Sequence, residues 1–181
     1  MALTTKANVK AFLGLTNATD DALLDRLIES ASAFIENWLG RQVMAAPAID
    51  HQSGSGKDVL ILRDTPVISV ESVTVNGVLL SQATDAAQTG WVVVDDWLVY
   101  QHGIWPRGRR NVVIECTVGF SSVPPDIEQA VIDLVALRYK ERDRIGHRSK
   151  SLAGETVSYM INDLSDFSRS ILGSYRRVVP A

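Results

Sequence analysis

A chain of 181 residues, 46% apolar and 22% charged, is long enough for one core-bearing domain or one domain with a sizeable insertion. Its net charge of −3 gives no global case for nucleic-acid binding, and its single cysteine, Cys116, excludes an intrachain disulfide and a cysteine-rich metal site. The opening MALTTKANVK lacks the apolar region of a signal peptide. No apolar run approaches the roughly 20 residues that cross a bilayer, so the expectation is a soluble, intracellular protein. Charge is unevenly spread: residues 1–137 carry 9 cations and 16 anions, residues 138–181 carry 9 and 5. Such asymmetry can steer a partner or dock one copy against another.

In chain order, TTKANVKAFLGL predicts a short helix near 5–13, capped by Thr4 or Thr5 and stopped at Gly14. A longer helix over 20–39 spaces Leu24, Leu27, Ile28, Ala31, Phe34, Ile35, Trp38 and Leu39 three and four residues apart. Asp20 and Asp21 suit its positive N-terminal end, Gly40 its stop, and Asp25, Glu29 and Glu36 make its other face acidic. From about 52 to 120 the texture turns β-rich. Asn76-Gly77 is a two-residue hairpin signal, GWVVVDDWLVYQ reads as strand, and Val112, Ile114, Cys116 and Val118 alternate with Val113, Glu115 and Thr117. Pro124-Pro125 opens a helix near 125–144 in which Asp133 is the one polar residue between Ala130 and Leu137, so it must be buried on most sides. GHRSKSLAGETVS reads as a polar loop, and Leu164, Phe167, Ile171 and Tyr175 lie along one face of a closing helix near 163–174. The fold class expected is therefore α+β: a helical bundle of about four helices (1–45 and 121–181) with a β-rich insertion, about 52–120, between the second and third, in one domain over 1–181. Leu27, Phe34 and Trp38 are expected to pack on Val131, Leu134 and Leu137.

Candidate chemistry is sparse. GSGKD, residues 54–58, lacks the first glycine of a phosphate loop (His51 stands there), has Asp58 where Ser or Thr is needed, and leads into a strand instead of a helix. His51, His102 and His147 have no second ligand at helical or strand spacing. Cys116 sits on the apolar side of its strand, as a core thiol does, and Asp95-Asp96 reads as a turn or strand end, since neighbouring strand residues point apart. Trp91, Trp97 and Trp105 fit core packing plus a rim contact, with base or sugar stacking as the alternative. The segment LRYKERDRIGHRSK, 137–150, holds six cations (Arg138, Lys140, Arg142, Arg144, Arg148, Lys150) against two anions. Pairs three residues apart, such as Arg138 with Glu141, and the negative C-terminal end of a helix can neutralise much of it. No nucleic-acid-reading motif accompanies it.

Taken together, LTTKANVKAFLGL...DDALLDRLIESASAFIENWLGR, LILRDTPVISVESVTVNG, TVGFSSVPPDIEQAVIDLVALRYKERD and ILGSYRR resemble the phage head–tail connector (head-completion adaptor) family. The resemblance implies a structural protein without catalytic residues, cofactor or metal, forming a homo-oligomeric ring. Implied partners are other copies, the portal protein, the next neck or tail component and, non-specifically, the double-stranded DNA in the channel, with no membrane. It places the chain in the host bacterial cytoplasm during assembly and in the virion neck. The six cations above become candidates for assembly or for lining the channel, and Leu164, Phe167, Ile171, Tyr175, Arg176 and Arg177 candidates for docking on the portal or a neighbour. Two other readings stand beside it: a non-specific nucleic-acid-binding module using 138–150, and a ligand- or carbohydrate-binding domain on the β block.

Overall fold

The computed structural model describes residues 1–142, 149–152, 155–158 and 164–176. They fall into two compact units, one of residues 1–41 and 123–176, the other of residues 42–122.

In the first unit, α1 (Lys6–Leu13) starts where Thr5 Oγ1 accepts a hydrogen bond from Asn8 N at 3.2 Å, and ends at Gly14, whose φ of 70° is open to glycine at little cost. α2 (Asp21–Leu39) ends the same way at Gly40. α3 (Pro125–Glu141) begins on a proline, which loses nothing there because a first-turn N–H has no helical partner. α4 (Asp166–Gly173) is capped by Ser165 Oγ, which accepts from Ser168 N at 3.0 Å. α3 packs against α1, α2 and α4, which explains its almost unbroken apolar run: Ile127, Val131, Leu134 and Val135 are each at most 2% exposed. The buried stripe of α2 is Leu24, Ile28, Ala31, Ile35 and Leu39, while Leu27, Phe34 and Trp38 are half-buried. These three border the buried stripe instead of forming its centre. Ser149–Leu152 (to be called β8) and Glu155–Ser158 (β9) pair antiparallel where a polar loop was expected.

The second unit contains two antiparallel sheets. Strands β1 (Ala46–Gln52), β7 (Val112–Val118), β3 (Val67–Val75) and β4 (Val78–Leu80) form one in that order; β2 (Val59–Ile61), β6 (Trp97–Gln101) and β5 (Gly90–Val94) form the other. Asn76 and Gly77, at φ 50° and 80°, make the expected tight turn between β3 and β4. Asp95, at φ 54°, turns β5 into β6. Val73, Val112, Ile114 and Cys116 from one sheet, Leu60, Trp91 and Leu98 from the other, and Trp105 from a loop share one core. The buried indoles keep their polar atoms paired: Trp91 Nε1 donates to Leu80 O at 3.0 Å and Trp105 Nε1 to Asp58 O at 2.8 Å.

These sheets correct the expected fold class. Four helices are present among the described residues, but α1 and α4 have eight residues each, two turns, too short to serve as equal staves of a four-helix bundle. The strand-bearing residues are not an insertion on such a bundle. They begin at Ala46, ahead of the expected 52, and bury their own apolar side chains in their own core. Among the described residues the chain is sheet-rich: two antiparallel sheets with a core of their own, the β8–β9 pair and four accompanying helices.

Candidate assembly interface

Among the described residues, the cations at the basic end of α3 have separate surroundings. Arg138 reaches α2, where its Nη1 donates to Ser30 Oγ at 3.1 Å and its guanidinium lies 5.4 Å from the centre of the Phe34 ring. Arg142 folds back on its own helix, 4.1 Å from the centre of the Tyr139 ring, with Nη1 donating to Tyr139 O at 2.8 Å. That bond covers a carbonyl left open at a helix C-terminus. Lys140 is exposed. Arg144 and Arg148 lie outside the described residues, and Lys150 is described only as a backbone position in β8.

Of the closing-helix candidates, Leu164 is 4% exposed, Ile171 is half-buried, and Leu172, which the sequence reading had not singled out, is wholly buried. Phe167 falls within α4, Tyr175 Oη donates to Asp126 Oδ2 at 3.3 Å, and Arg176 stacks 5.7 Å from the centre of the Trp38 ring. Arg177 is outside the described residues. Burial first, then the Asp126 carboxylate, raises the Tyr175 phenol above its ordinary pKa.

The acidic start of α2 is committed within the helical unit, which periodicity alone did not reveal. Lys10 Nζ donates to Asp21 Oδ1 at 2.8 Å, and Lys6 Nζ lies 2.9 Å from Asp25 Oδ2 and 3.6 Å from Asp21 Oδ2. The bond from Lys10 holds the Asp21 carboxyl below its usual pKa, and the bond to Asp25 raises Lys6. Tyr139 Oη donates to Asp20 Oδ2, and this bond, with burial, raises the tyrosine pKa. Glu128 accepts from Thr4 Oγ1 at 2.9 Å and Asn8 Nδ2 at 2.8 Å, tying the N-terminus to α3. A run of acidic residues ahead of a helix and two lysines spaced four apart were the available signals; their pairing across helices was not.

In the sheet unit, the GSGKD loop uses its own amides. Gly54 N donates to Asn111 Oδ1 at 2.9 Å, Gly56 N to Trp105 O at 2.8 Å and Lys57 N to Ser55 Oγ at 3.2 Å. A phosphate cradle needs such amides free and a following helix; here β2 follows. A side chain at Gly54 would lie 2.0 Å from Pro106 O, so glycine serves close packing of two loops there. Beside this loop is an open cleft of about 630 Å³ lined by Gly56, Lys57, Asp58, Tyr100, His102, Gly103 and Ile104. Its His102 Nε2 is 2.8 Å from Ala86 O. His51 lies in β1, and His147 is outside the described residues. Among the described residues no three His, Cys, Asp or Glu side chains converge as a metal site would require. Cys116 is buried, its thiol pushed up to about 11 by desolvation and the nearby Asp50, Glu71 and Asp64 carboxylates. Trp91 and Trp105 are inside the core, where no sugar or base can stack on them, and Trp97 is 52% exposed. No described helix is long and apolar enough to cross a membrane.

Solved structures share this fold. A chain from the neck of an empty gene transfer agent (GTA) particle, computed with C6 symmetry, superposes with a TM-score of 0.60 at 21% identity, covering 97% of this chain and 90% of that one. A chain from the neck of the native GTA particle, computed with C12 symmetry, gives 0.57 at 22% identity over 99% and 91%. One from the virion of the native gene transfer agent gives 0.58 at 21% over 97% and 90%. No curated protein sequence matches the chain. The model of the head completion protein family matches residues 2–178. With helices, both sheets and the closing segment all inside that match, the chain belongs to the head completion protein family, as its resemblance to the phage connectors implied.

Proposed function

We propose that this head completion protein is a structural subunit of the particle neck, non-enzymatic, present as a ring of copies between the portal and the next neck or tail component. The observation that carries this reading is the family match over residues 2–178. The shared fold with neck chains of particles computed with C6 and C12 symmetry supports a ring. Residues 1–181 act as one connector subunit, made in the host cytoplasm and incorporated into the neck. The ring extends the channel through which double-stranded DNA passes without sequence-specific contact. A head-to-tail ring needs two different, complementary faces per subunit, and the uneven charge of the chain is compatible with that.

Arg144, Arg148 and Lys150, with exposed Lys140, are the proposed assembly cations. Arg138 and Arg142, engaged within the helical unit, are less available to a partner. Tyr175, Arg176 and Arg177 are the proposed docking end of the closing segment. The test is deletion of the gene, followed by electron microscopy and protein composition of purified particles. The expected result is several copies of the chain in complete particles and, on deletion, heads without tails. Normal yields of infectious particles after deletion, with the chain absent from parental particles, would overturn the reading.

A further inference from the structure

The outer face of the β2-β6-β5 sheet is apolar, and its end row is exposed. Ile61 pairs with Trp97, and Trp97 with Val94, in one row across the three strands; these side chains are 59%, 52% and 51% exposed. The next row on the same face, Val59, Val99 and Val92, is also wholly aliphatic. The other face of these strands supplies Leu60 and Leu98 to the core. A sheet apolar on both faces has the composition of one covered on both, and an uncovered apolar row of this kind marks an interaction surface.

A second apolar feature lies at the far end of the unit. Val78 and Leu79, each 69% exposed, follow the Asn76-Gly77 turn on β4, an edge strand. The two ends carry opposite charge. Asp95 and Asp96 form the turn next to Val94 and Trp97, and Asp96 Oδ1 accepts from Val67 N, at the start of β3, at 3.4 Å. The neighbouring cation Arg63 is 3.8 Å from Asp50. At the other end of β3, Asn76 N donates to Asn111 O at 2.8 Å, which places exposed Arg109 and Arg110 beside the hairpin. β3 has nine residues, so at roughly 3.3 Å per residue the acidic and basic ends are about 26 Å apart.

We infer that the β3–β4 hairpin of one copy seats Val78 on the Ile61–Trp97–Val94 row of the next copy, with Arg109 and Arg110 facing Asp95 and Asp96. The occupant is a second copy because the chain itself carries both halves of the match, at opposite ends. Such an arrangement joins copies head to tail, the geometry that closes a ring, and opposite charges at the rim set its register. The inference rests on the ring reading above and names one of its contacts.

The test uses particles assembled with a Val94→Cys/Val78→Cys double variant and treated with a short bismaleimide. The expected product is a ladder of covalent multimers, with none from either single variant or from the parent, whose only thiol is buried. A second arm swaps charges. Asp95→Arg alone should cut incorporation about tenfold through like-charge contact with the arginines, and adding Arg109→Asp should restore it. If the parental chain is absent from particles, the neck reading fails and this contact with it. If the parent and the double variant are both incorporated, yet the double variant gives no ladder and Asp95→Arg has no effect, this contact alone is overturned.

Discussion

Arg138, one turn from the end of α3, is held by α2: its guanidinium sits 5.4 Å from the centre of the Phe34 ring while Nη1 donates to Ser30 Oγ at 3.1 Å. The cation thus fastens two helices. Arg138→Ala is expected to lower unfolding free energy by about 0.5–1 kcal/mol, the range for a partly exposed cation over an aromatic ring. Lys140→Ala, at an exposed position, should stay within about 0.5 kcal/mol of the parent. Urea titration of both variants checks the difference.

The ion pairs that tie α1 to α2 predict a dependence on pH. Asp21 has its pKa lowered in the fold, chiefly by the bond from Lys10. A lowered carboxyl pKa stabilises the fold above the unfolded value, and that contribution is lost as pH falls through the folded value. Asp21→Asn should therefore melt below the parent at pH 7, and the gap should close as acidification carries the parent below its own lowered pKa. Lys6, raised by Asp25, runs the other way. Its contribution is present below the unfolded pKa and fades as pH rises through the raised one. Melting temperature against pH for Asp21→Asn and Lys6→Met reads both.

Burial in the helical unit makes two substitutions diagnostic. Leu134 is 2% exposed on the helix that packs against the other three. Leu134→Asp buries an unpaired charge and should leave the domain unfolded by circular dichroism. Leu172 is 0% exposed, so Leu172→Ala should cost about 2–5 kcal/mol. A chain ending at Asn162 loses α4 altogether. It should fold with a lowered melting temperature and fail to complete heads. A truncation that supported infectious particles would remove the closing segment from the assembly role proposed for it.

Much of this was legible locally. Gly14 and Gly40 as helix stops, Asn76-Gly77 as a hairpin turn, and the buried alternation of Val112, Ile114 and Cys116 all follow from one or a few neighbouring residues. The failures share a cause. That β1 pairs with β7, 60 or more residues away, is a long-range choice that period-two alternation does not specify. Without those partners the strands read as an insertion, not as two sheets with a core of their own. In α2 the apolar positions cover more than one face, so spacing did not distinguish Leu24, Ile28 and Ile35 from Leu27, Phe34 and Trp38. The hydrogen bond from Tyr139 to Asp20, between groups 119 positions apart, carries no local signal. In the basic segment, composition showed how many cations there are but not that Arg138 and Arg142 are already engaged.

Cys116 offers a chemical check on the sheet core. Burial among Val73, Val112 and Ile114, with carboxylates nearby, pushes its thiol up to about 11. The thiolate is the reactive form, so at pH 8 the native thiol should resist Ellman's reagent and react fully only in denaturant. Rapid reaction of the folded protein would show that the core of the sheet unit is open.

The remaining basic residues carry the last prediction. The buried stripe of α3 ends at Tyr139, so Arg144→Ala, Arg148→Ala and Lys150→Ala together should hardly move the melting temperature. If these cations serve assembly, the triple variant should bind portal or neighbouring copies more weakly. If they grip DNA instead, the parent should show strong, steeply salt-dependent affinity for a duplex, and the variant should lose about 0.9 from the slope of log K against log salt per contact removed. A channel that must release its DNA is served by weak, sequence-blind attraction, because tight phosphate contacts would hold the genome back. The expected outcome is impaired association with weak DNA affinity in parent and variant alike. Unchanged association, together with loss of a strong DNA affinity, would overturn the assembly role of this segment and establish it as a DNA grip.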